Sequence, residues 1–148
     1  MKFRIMPQKL FVIFVIHIVV LHFIPSIKRM VAPPYHYLGL LLIIFGSITT
    51  LWADQLFKKN KTEIKPYEDP ITFVTSGPFR ISRNPMYLGM SMILLGLTVF
   101  LGSWLMLVFP VSYIVIIEAF FIRTEERNLE RVFSKPYLDY KKKVRRWL

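Results

Sequence analysis

Two polar clusters flank one long apolar stretch of this 148-residue chain. The first is a basic turn, residues 77–89, with the sequence GPFRISRNPMYLG, and it opens directly into apolar residues. The second is the acidic pair Glu125–Glu126, which follows the end of that stretch. Charge at the end of a membrane segment is costly to desolvate unless it is paired or used. The pattern therefore indicates a cofactor site at a membrane surface.

The basic turn combines a helix start with two guanidinium groups. Asn84 precedes Pro85, which disfavours helical geometry at Asn84 and favours it from Pro85 onward, so Asn84 is the predicted N-cap of a helix. Capping does not require Arg80 or Arg83. A helix N-terminus beside arginines can hold the carboxylate or phosphate of a ligand.

The acidic side adds a carboxylate inside the apolar sequence. Glu118 lies among apolar residues, and an acid in a membrane segment is a functional candidate by default. Glu118 and Glu125 are seven residues apart, which predicts that they share one helix face. The structural alternative is that Glu118 pairs with Arg123 at the end of its helix.

The elements that must position these clusters are apolar helices. Hydrophobic residues make up 54% of the chain and the mean hydropathy is +0.45. Residues 10–27, 30–53 and 84–117 carry no Asp, Glu, Lys or Arg, and a bilayer core needs about 20 apolar residues per helix. The third run fits two short spans that turn at Gly102–Ser103. The sequence thus predicts an all-α integral membrane protein with four transmembrane helices and a short cytoplasmic C-terminal helical segment.

The basic residues predict the orientation of this single domain, residues 1–148. They concentrate before the first span, between the second and third, and after the fourth, which predicts that both termini are cytoplasmic and that the membrane is the cell (inner) membrane. Anionic lipids account for the net charge of +11 without a nucleic-acid partner. The expected parts are two N-terminal spans (1–56), a cytoplasmic loop (57–84), a helical hairpin (85–123) and a cytoplasmic tail (124–148).

Residue usage argues against several chemistries. The chain has no cysteine, so thiol nucleophiles and thiolate metal sites are excluded. His17 and His22 are five residues apart on one predicted helix and face different directions, which argues against a metal site. We interpret them as histidines that are hydrogen-bonded inside a helical bundle.

The two clusters together resemble a known family signature. The basic turn and Glu125–Glu126, followed by further spaced residues, resemble the C-terminal signature of the isoprenylcysteine carboxyl methyltransferase and phospholipid N-methyltransferase family. The resemblance covers roughly the second half of the chain. The family usually has His where this chain has Asn84. The further residues are Leu129, Phe133, Tyr137, Tyr140 and Val144–Arg145.

The resemblance implies a membrane enzyme that uses S-adenosylmethionine to methylate a lipophilic acceptor entering from the bilayer, at the cytoplasmic face. Arg80 would orient an acceptor carboxylate, and Glu118 would assist proton removal from an amine. Arg83 or the nearby helix N-terminus would hold the carboxylate of the donor, and Glu125 or Glu126 its ammonium. The implied cofactor-binding residues are Gly77, Pro78, Phe79, Arg83, Asn84, Pro85, Tyr87, Glu125 and Glu126.

Several functions remain open at this point. The leading one is methylation of a carboxylate of the isoprenylcysteine type, and the nearest rival is methylation of a phospholipid amine. A membrane reductase that uses NADPH has a loosely similar C-terminal pattern. A non-enzymatic helical membrane protein with basic ends is the last alternative. The oligomeric state is not predicted.

Overall fold

The computed structural model describes residues 6–24, 34–60 and 72–148, and all regular structure in those ranges is helical. The predicted all-α class is confirmed. The basic residues Lys2 and Arg4, the segment between the first two apolar runs and the middle of the 57–84 loop lie outside the described residues. The α-helices are α1 (Pro7–His22), α2 (Tyr37–Lys59), α3 (Pro85–Leu101), α4 (Val108–Ile116) and α5 (Arg123–Lys143).

The first two helices present apolar side chains outward. α1 packs against α3 and α4, while residues such as Val20 remain exposed. α2 packs against α3 along its length and exposes Phe45, Leu51 and other large apolar side chains. α2 also continues past the predicted end of its apolar run, and Asp54 and Lys58 form an ion pair one turn apart at 2.6 Å.

Glycines allow α2 and α3 to approach closely. A Cβ added at Gly39 would fall against the carbonyl oxygen of Gly96, and one added at Gly46 would fall against that of Gly89. No side chain larger than hydrogen fits at these crossings without movement of the backbone. The two helices therefore pack backbone to backbone at two levels that are seven residues apart on each helix.

The third helix has the predicted boundaries. Pro85 occupies its first turn, where the missing amide hydrogen costs nothing. The helix ends at Leu101, and Gly102 adopts a left-handed conformation with φ of 80°, which favours glycine. A 3₁₀ turn over Trp104–Leu107 then leads into α4.

α4 and α5 are continuous in sequence through a helical segment, and this stretch has two irregularities. A π-helical segment, Ile117–Ile122, joins α4 to α5 without a break. Within α5, Ser134 leaves helical geometry with φ of 45°, two residues before Pro136. Proline clashes with the carbonyl four residues earlier and removes a hydrogen bond, which accounts for the kink. After the kink the chain turns back toward the start of α3.

Two of these helical stretches, Tyr37–Lys59 and Trp104–Lys143, are long and apolar enough to cross a membrane, among the residues that the structure describes. The other two predicted spans correspond to the shorter apolar helices Pro7–His22 and Pro85–Leu101. Four transmembrane helices remain a prediction.

Candidate functional site

The first cluster lies immediately before α3. Gly77 has a φ of 60° and begins a 3₁₀ turn, Gly77–Arg80, in which Pro78 and Phe79 are buried. Tyr140 from the end of α5 donates a hydrogen bond to the carbonyl of Phe79 at 2.6 Å. α5 therefore holds this turn against the bundle.

The two arginines of the turn occupy different environments. Arg80 is exposed to solvent. Arg83 is buried, with 8% of its side chain exposed, and its Nη2 lies 3.2 Å from Oε1 of Glu126, whose side chain is 6% exposed. Arg83 and Glu126 thus bring the basic and acidic clusters together.

A second arginine completes the coordination of Glu126. Arg146 donates from Nε to Oε1 at 3.1 Å and from Nη2 to Oε2 at 2.7 Å, a bidentate arrangement. Hydrogen bonding to Glu126 raises the pKa of the Arg146 guanidinium above its ordinary value. The Arg146 guanidinium therefore stays charged throughout the physiological range.

Glu118 is bound to the same arginine and not to its predicted partner. Nη1 of Arg146 donates to Glu118 at 2.9 Å, and Nε1 of Trp147 donates to its other oxygen at 3.1 Å. Arg146, and not Arg123, forms the ion pair with Glu118, because the kinked α5 brings the chain end to this carboxylate. Arg123 contributes only a weaker electrostatic attraction. The side chain of Glu118 is 30% exposed.

Glu118 and Glu125 do not share one helix face, as their seven-residue spacing predicts they would. Glu118 and Glu126 share the Arg146 guanidinium, whereas Glu125 accepts a hydrogen bond from the Tyr87 hydroxyl at 2.6 Å. The predicted shared face of Glu118 and Glu125 is therefore wrong. A π turn contains about one residue more than an α turn, since its hydrogen bonds join residues five apart. The segment Ile117–Ile122 thereby brings Glu126, one residue later, to the side of Glu118.

Asn84 occupies the N-cap position without capping the helix through its side chain. Its Nδ2 instead donates to the carbonyl of Arg146 at 3.2 Å, and its backbone N–H donates to the hydroxyl oxygen of Ser82 at 3.1 Å. The predicted side-chain cap is wrong, because the amide group is directed toward the chain end. Ser82 also donates to the Arg146 carbonyl, at 3.0 Å.

Sequence reasoning did not assign a role to Ser82, Arg146 or Trp147. The contacts of Arg146 and Trp147 cross 28 and 29 residues of sequence to Glu118, so no helical spacing reveals them. Pro136 was the available signal, since a proline inside a helix indicates a change of direction.

The histidines have no place in this site. His17 is exposed and its Nδ1 binds the carbonyl of Ile13 in its own helix at 2.7 Å, so the interpretation that it lies inside the bundle is wrong. Among the described residues there is no group of three or more His, Asp or Glu that could hold a metal ion.

The chain belongs to the phospholipid methyltransferase family, whose profile matches residues 34–136, more than half of the chain. This is a family of membrane methyltransferases, and the apolar helices of the described residues are consistent with membership in it. The matched region contains the basic turn, α3, α4 and the acidic pair.

Two relatives can be compared directly. A protein-S-isoprenylcysteine O-methyltransferase of Xenopus laevis is 35% identical over 112 residues, which is 72% of this chain and 38% of that enzyme. The chain thus spans well under half the length of the frog enzyme. An uncharacterized protein of Haemophilus influenzae is 44% identical over 63 residues, 43% of this chain and 100% of that protein. No solved structure matches the chain.

Proposed function

We propose that this protein transfers a methyl group from S-adenosylmethionine to a carboxylate on a lipophilic acceptor at the cytoplasmic face of a membrane. Carboxylate methylation is supported by the similarity to the isoprenylcysteine O-methyltransferase over 72% of the chain. The observation that carries the proposal is the Arg83–Glu126 pair, because it joins the two clusters whose residue types suit the amino-acid end of such a donor.

The residues present fit the donor's carboxylate. Nε and Nη1 of Arg83 are buried and have no hydrogen-bond partner within the described part of the chain. A buried guanidinium nitrogen without a partner is costly, and an oxygen of an incoming carboxylate would satisfy one of these two donors. Pro78, Phe79 and Pro85 are buried around the same turn and would form the apolar part of the site.

The acidic pair divides into two roles. Glu126 already accepts hydrogen bonds from Arg146 and lies against Arg83. Glu125 accepts a hydrogen bond from Tyr87, a neutral donor, and burial raises the pKa of its carboxyl to about 7. The positive charge of an ammonium would therefore stabilise its ionised form. We infer that Glu125 binds the ammonium of the donor while Glu126 fixes the arginines. Gly77 and Asn84 then shape the backbone beside it.

The donor, when bound, supplies an electrophilic methyl group on a sulfonium. The protein's contribution to such an in-line displacement is to hold the two reactants in position and to exclude water. A carboxylate nucleophile is already ionised and needs no general base. Arg80 is exposed next to the turn, where it can orient the acceptor's negative charge without competing with Glu126.

Methylation of a phospholipid amine is the second candidate, because the matched family carries that name. An amine must lose a proton before or during attack, and Glu118 would have to accept it. Glu118 is instead engaged by Arg146 and Trp147, both hydrogen-bond donors. These contacts favour its ionised form and weaken it as a base, so carboxylate methylation is the better supported reading.

The membrane arrangement is part of the proposal. We propose that residues 1–148 form one domain with four membrane-spanning helices, the parts and boundaries predicted above and both termini in the cytoplasm. α1 and α3 have 16 and 17 residues, or about 24 to 26 Å at the rise of an α-helix, slightly less than a bilayer core of about 30 Å. α1 and α3 pack against each other, and α3 also packs against the longer α2 and against α4, which supports this arrangement.

Binding and transfer test the proposal in two stages. Purified protein in lipid nanodiscs is titrated calorimetrically with S-adenosylhomocysteine and, separately, with NADPH. We expect binding of the first and none of the second; the reverse would indicate a reductase. Methyl transfer from radiolabelled donor to a prenylated cysteine with a free carboxylate is then compared with transfer to phosphatidylethanolamine. Preferential labelling of phosphatidylethanolamine would contradict the carboxylate assignment.

A further inference from the structure

The backbone of the chain end, residues 144–148, binds the basic half of the candidate site. The backbone N–H of Arg83 donates to the carbonyl of Arg145 at 2.9 Å. Ser82 and Asn84 both donate to the carbonyl of Arg146. Three consecutive residues before α3 therefore take their position from this segment.

The side chains of the same segment bind the acidic half. The Arg146 guanidinium uses three nitrogens on two carboxylates, Glu118 and Glu126. Trp147 donates to Glu118 and packs its ring against the core. The segment is thus the connection between the basic turn and the last two helices.

Because Glu126 is buried, its contact with the chain end also compensates a buried charge. A carboxylate with 6% of its side chain exposed needs compensating positive charge, and it has Arg83 and Arg146. Without Arg146, Glu126 would have Arg83 as its remaining cation and would draw it closer. The unpartnered Nε and Nη1 of Arg83 would then point in another direction, although Arg83 itself would not have been substituted.

We propose that Arg146 is a positioning residue for methyl-donor binding. It does not touch the donor; it fixes Glu126, and through Glu126 the orientation of Arg83. This inference rests on the proposed function, since it concerns the same site. It predicts that loss of the Arg146 contacts lowers donor affinity even in a variant that still folds.

The fork geometry of arginine distinguishes positioning from simple charge balance. Lysine carries the same charge as a point, so it can approach Glu118 or Glu126 but cannot bridge both and also bind one of them bidentately. Arg146→Lys therefore keeps the charge and loses the geometry. Arg146→Gln loses both.

The test measures affinity and stability separately. The dissociation constant for S-adenosylhomocysteine is measured by calorimetry in nanodiscs for wild type, Arg146→Lys, Arg146→Gln and Lys142→Gln, and the melting temperature is measured without ligand. Lys142 is the matched control, because its side chain is 78% exposed and its loss removes one positive charge from the same region.

We expect Arg146→Gln to weaken donor binding roughly tenfold or more, as loss of one partner of a buried hydrogen-bonded charge pair does. Arg146→Lys should weaken binding to an intermediate degree while melting close to wild type, and Lys142→Gln should bind like wild type. Arg146→Lys remains informative if Arg146→Gln does not fold.

Two results would overturn the inference. Unchanged affinity in Arg146→Lys together with a lower melting temperature would make the contact purely structural. Tighter binding in either Arg146 variant would show that the chain end competes with the donor. Absence of binding by the wild type would reject the proposed function itself, a result distinct from both.

Discussion

Tyr87 donates its hydroxyl to Glu125 at 2.6 Å, a contact between the first turn of α3 and the first turn of α5. A hydroxyl bound to a carboxylate at this distance is typical of a charge-assisted hydrogen bond. The contact fixes the orientation of Glu125 relative to the helix that carries the basic turn. Burial raises the pKa of Glu125 to about 7, so a cationic partner would favour its ionised form.

Tyr87→Phe tests this alignment. The variant keeps the ring and removes the hydroxyl, so we expect the free energy of donor binding to weaken by up to about 1.5 to 3 kcal/mol, the range for hydrogen bonds to charged groups. Calorimetric titration with S-adenosylhomocysteine measures the loss. A variant that melts at a lower temperature but binds the donor as tightly as wild type would limit Tyr87 to a structural role.

The acidic residues should separate when each is replaced by glutamine. Glu125→Gln should weaken donor binding by roughly 2 kcal/mol or more, with a small effect on melting, because it removes the proposed ammonium ligand. Glu126→Gln should lower both affinity and stability, since two arginines lose their shared carboxylate.

Glu130→Gln is the control for both acid variants. Glu130 pairs with Lys141, and both side chains are about a third exposed, so removal of this pair should cost about 0 to 1 kcal/mol of stability and leave donor binding unchanged. Equal effects at positions 125, 126 and 130 would contradict the division of roles.

The effect of a substitution at Asn84 should depend on whether the new side chain can still donate a hydrogen bond. Asn84→Ala and Asn84→Asp both lose the Nδ2 donation to the Arg146 carbonyl, at a cost of about 1 kcal/mol in unfolding free energy. Aspartate recovers part of this by interacting with the helix N-terminus, and it should weaken donor binding more than alanine by repelling the donor's carboxylate.

Asn84→His restores the residue that the family resemblance leads one to expect. Its imidazole can donate to the same carbonyl, so we expect nearly full affinity and stability. Thermal unfolding and donor titration of the three variants provide the comparison. Donor binding by Asn84→Asp at wild-type strength would place the donor's carboxylate away from this helix start.

The proposed topology can be tested with single cysteines, because the chain has none. Leu105 is 72% exposed after the α3–α4 turn, and Lys142 is 78% exposed near the end of α5. A membrane-impermeant maleimide should label Leu105→Cys in intact cells and should label Lys142→Cys only after lysis. Labelling of Lys142→Cys in intact cells would reverse the orientation.

Much of the helical framework could be predicted because its signals are local. The charge-free runs correspond to the helices, Pro85 begins α3, and Gly102 ends it. A run without charge predicts a buried or membrane-facing helix wherever it occurs in a chain, so no tertiary information is required.

The site was predicted only in its two halves. Their residue types were recognisable, but the partners of Glu118 and Glu126 depend on a π turn and on the kink at Ser134. Both features change the direction of side chains that follow them. Pro136 signals the kink but not where the chain goes after it, and the π turn has no strong local signal. The contacts of Arg146 result from both irregularities together, so the spacing of residues in the sequence does not predict them.

The glycine crossings between α2 and α3 affect how relatives of this protein can diverge. Gly89 lies four residues after Pro85, so its contact with Gly46 also sets the depth at which the basic turn sits along the bundle. A larger residue at Gly46 would force the helices apart and carry the turn away from the acids of α5. A substitution at one glycine of a facing pair therefore affects the packing of the other. α2 supplies none of the proposed donor ligands, yet its glycines are required to keep the donor site in place.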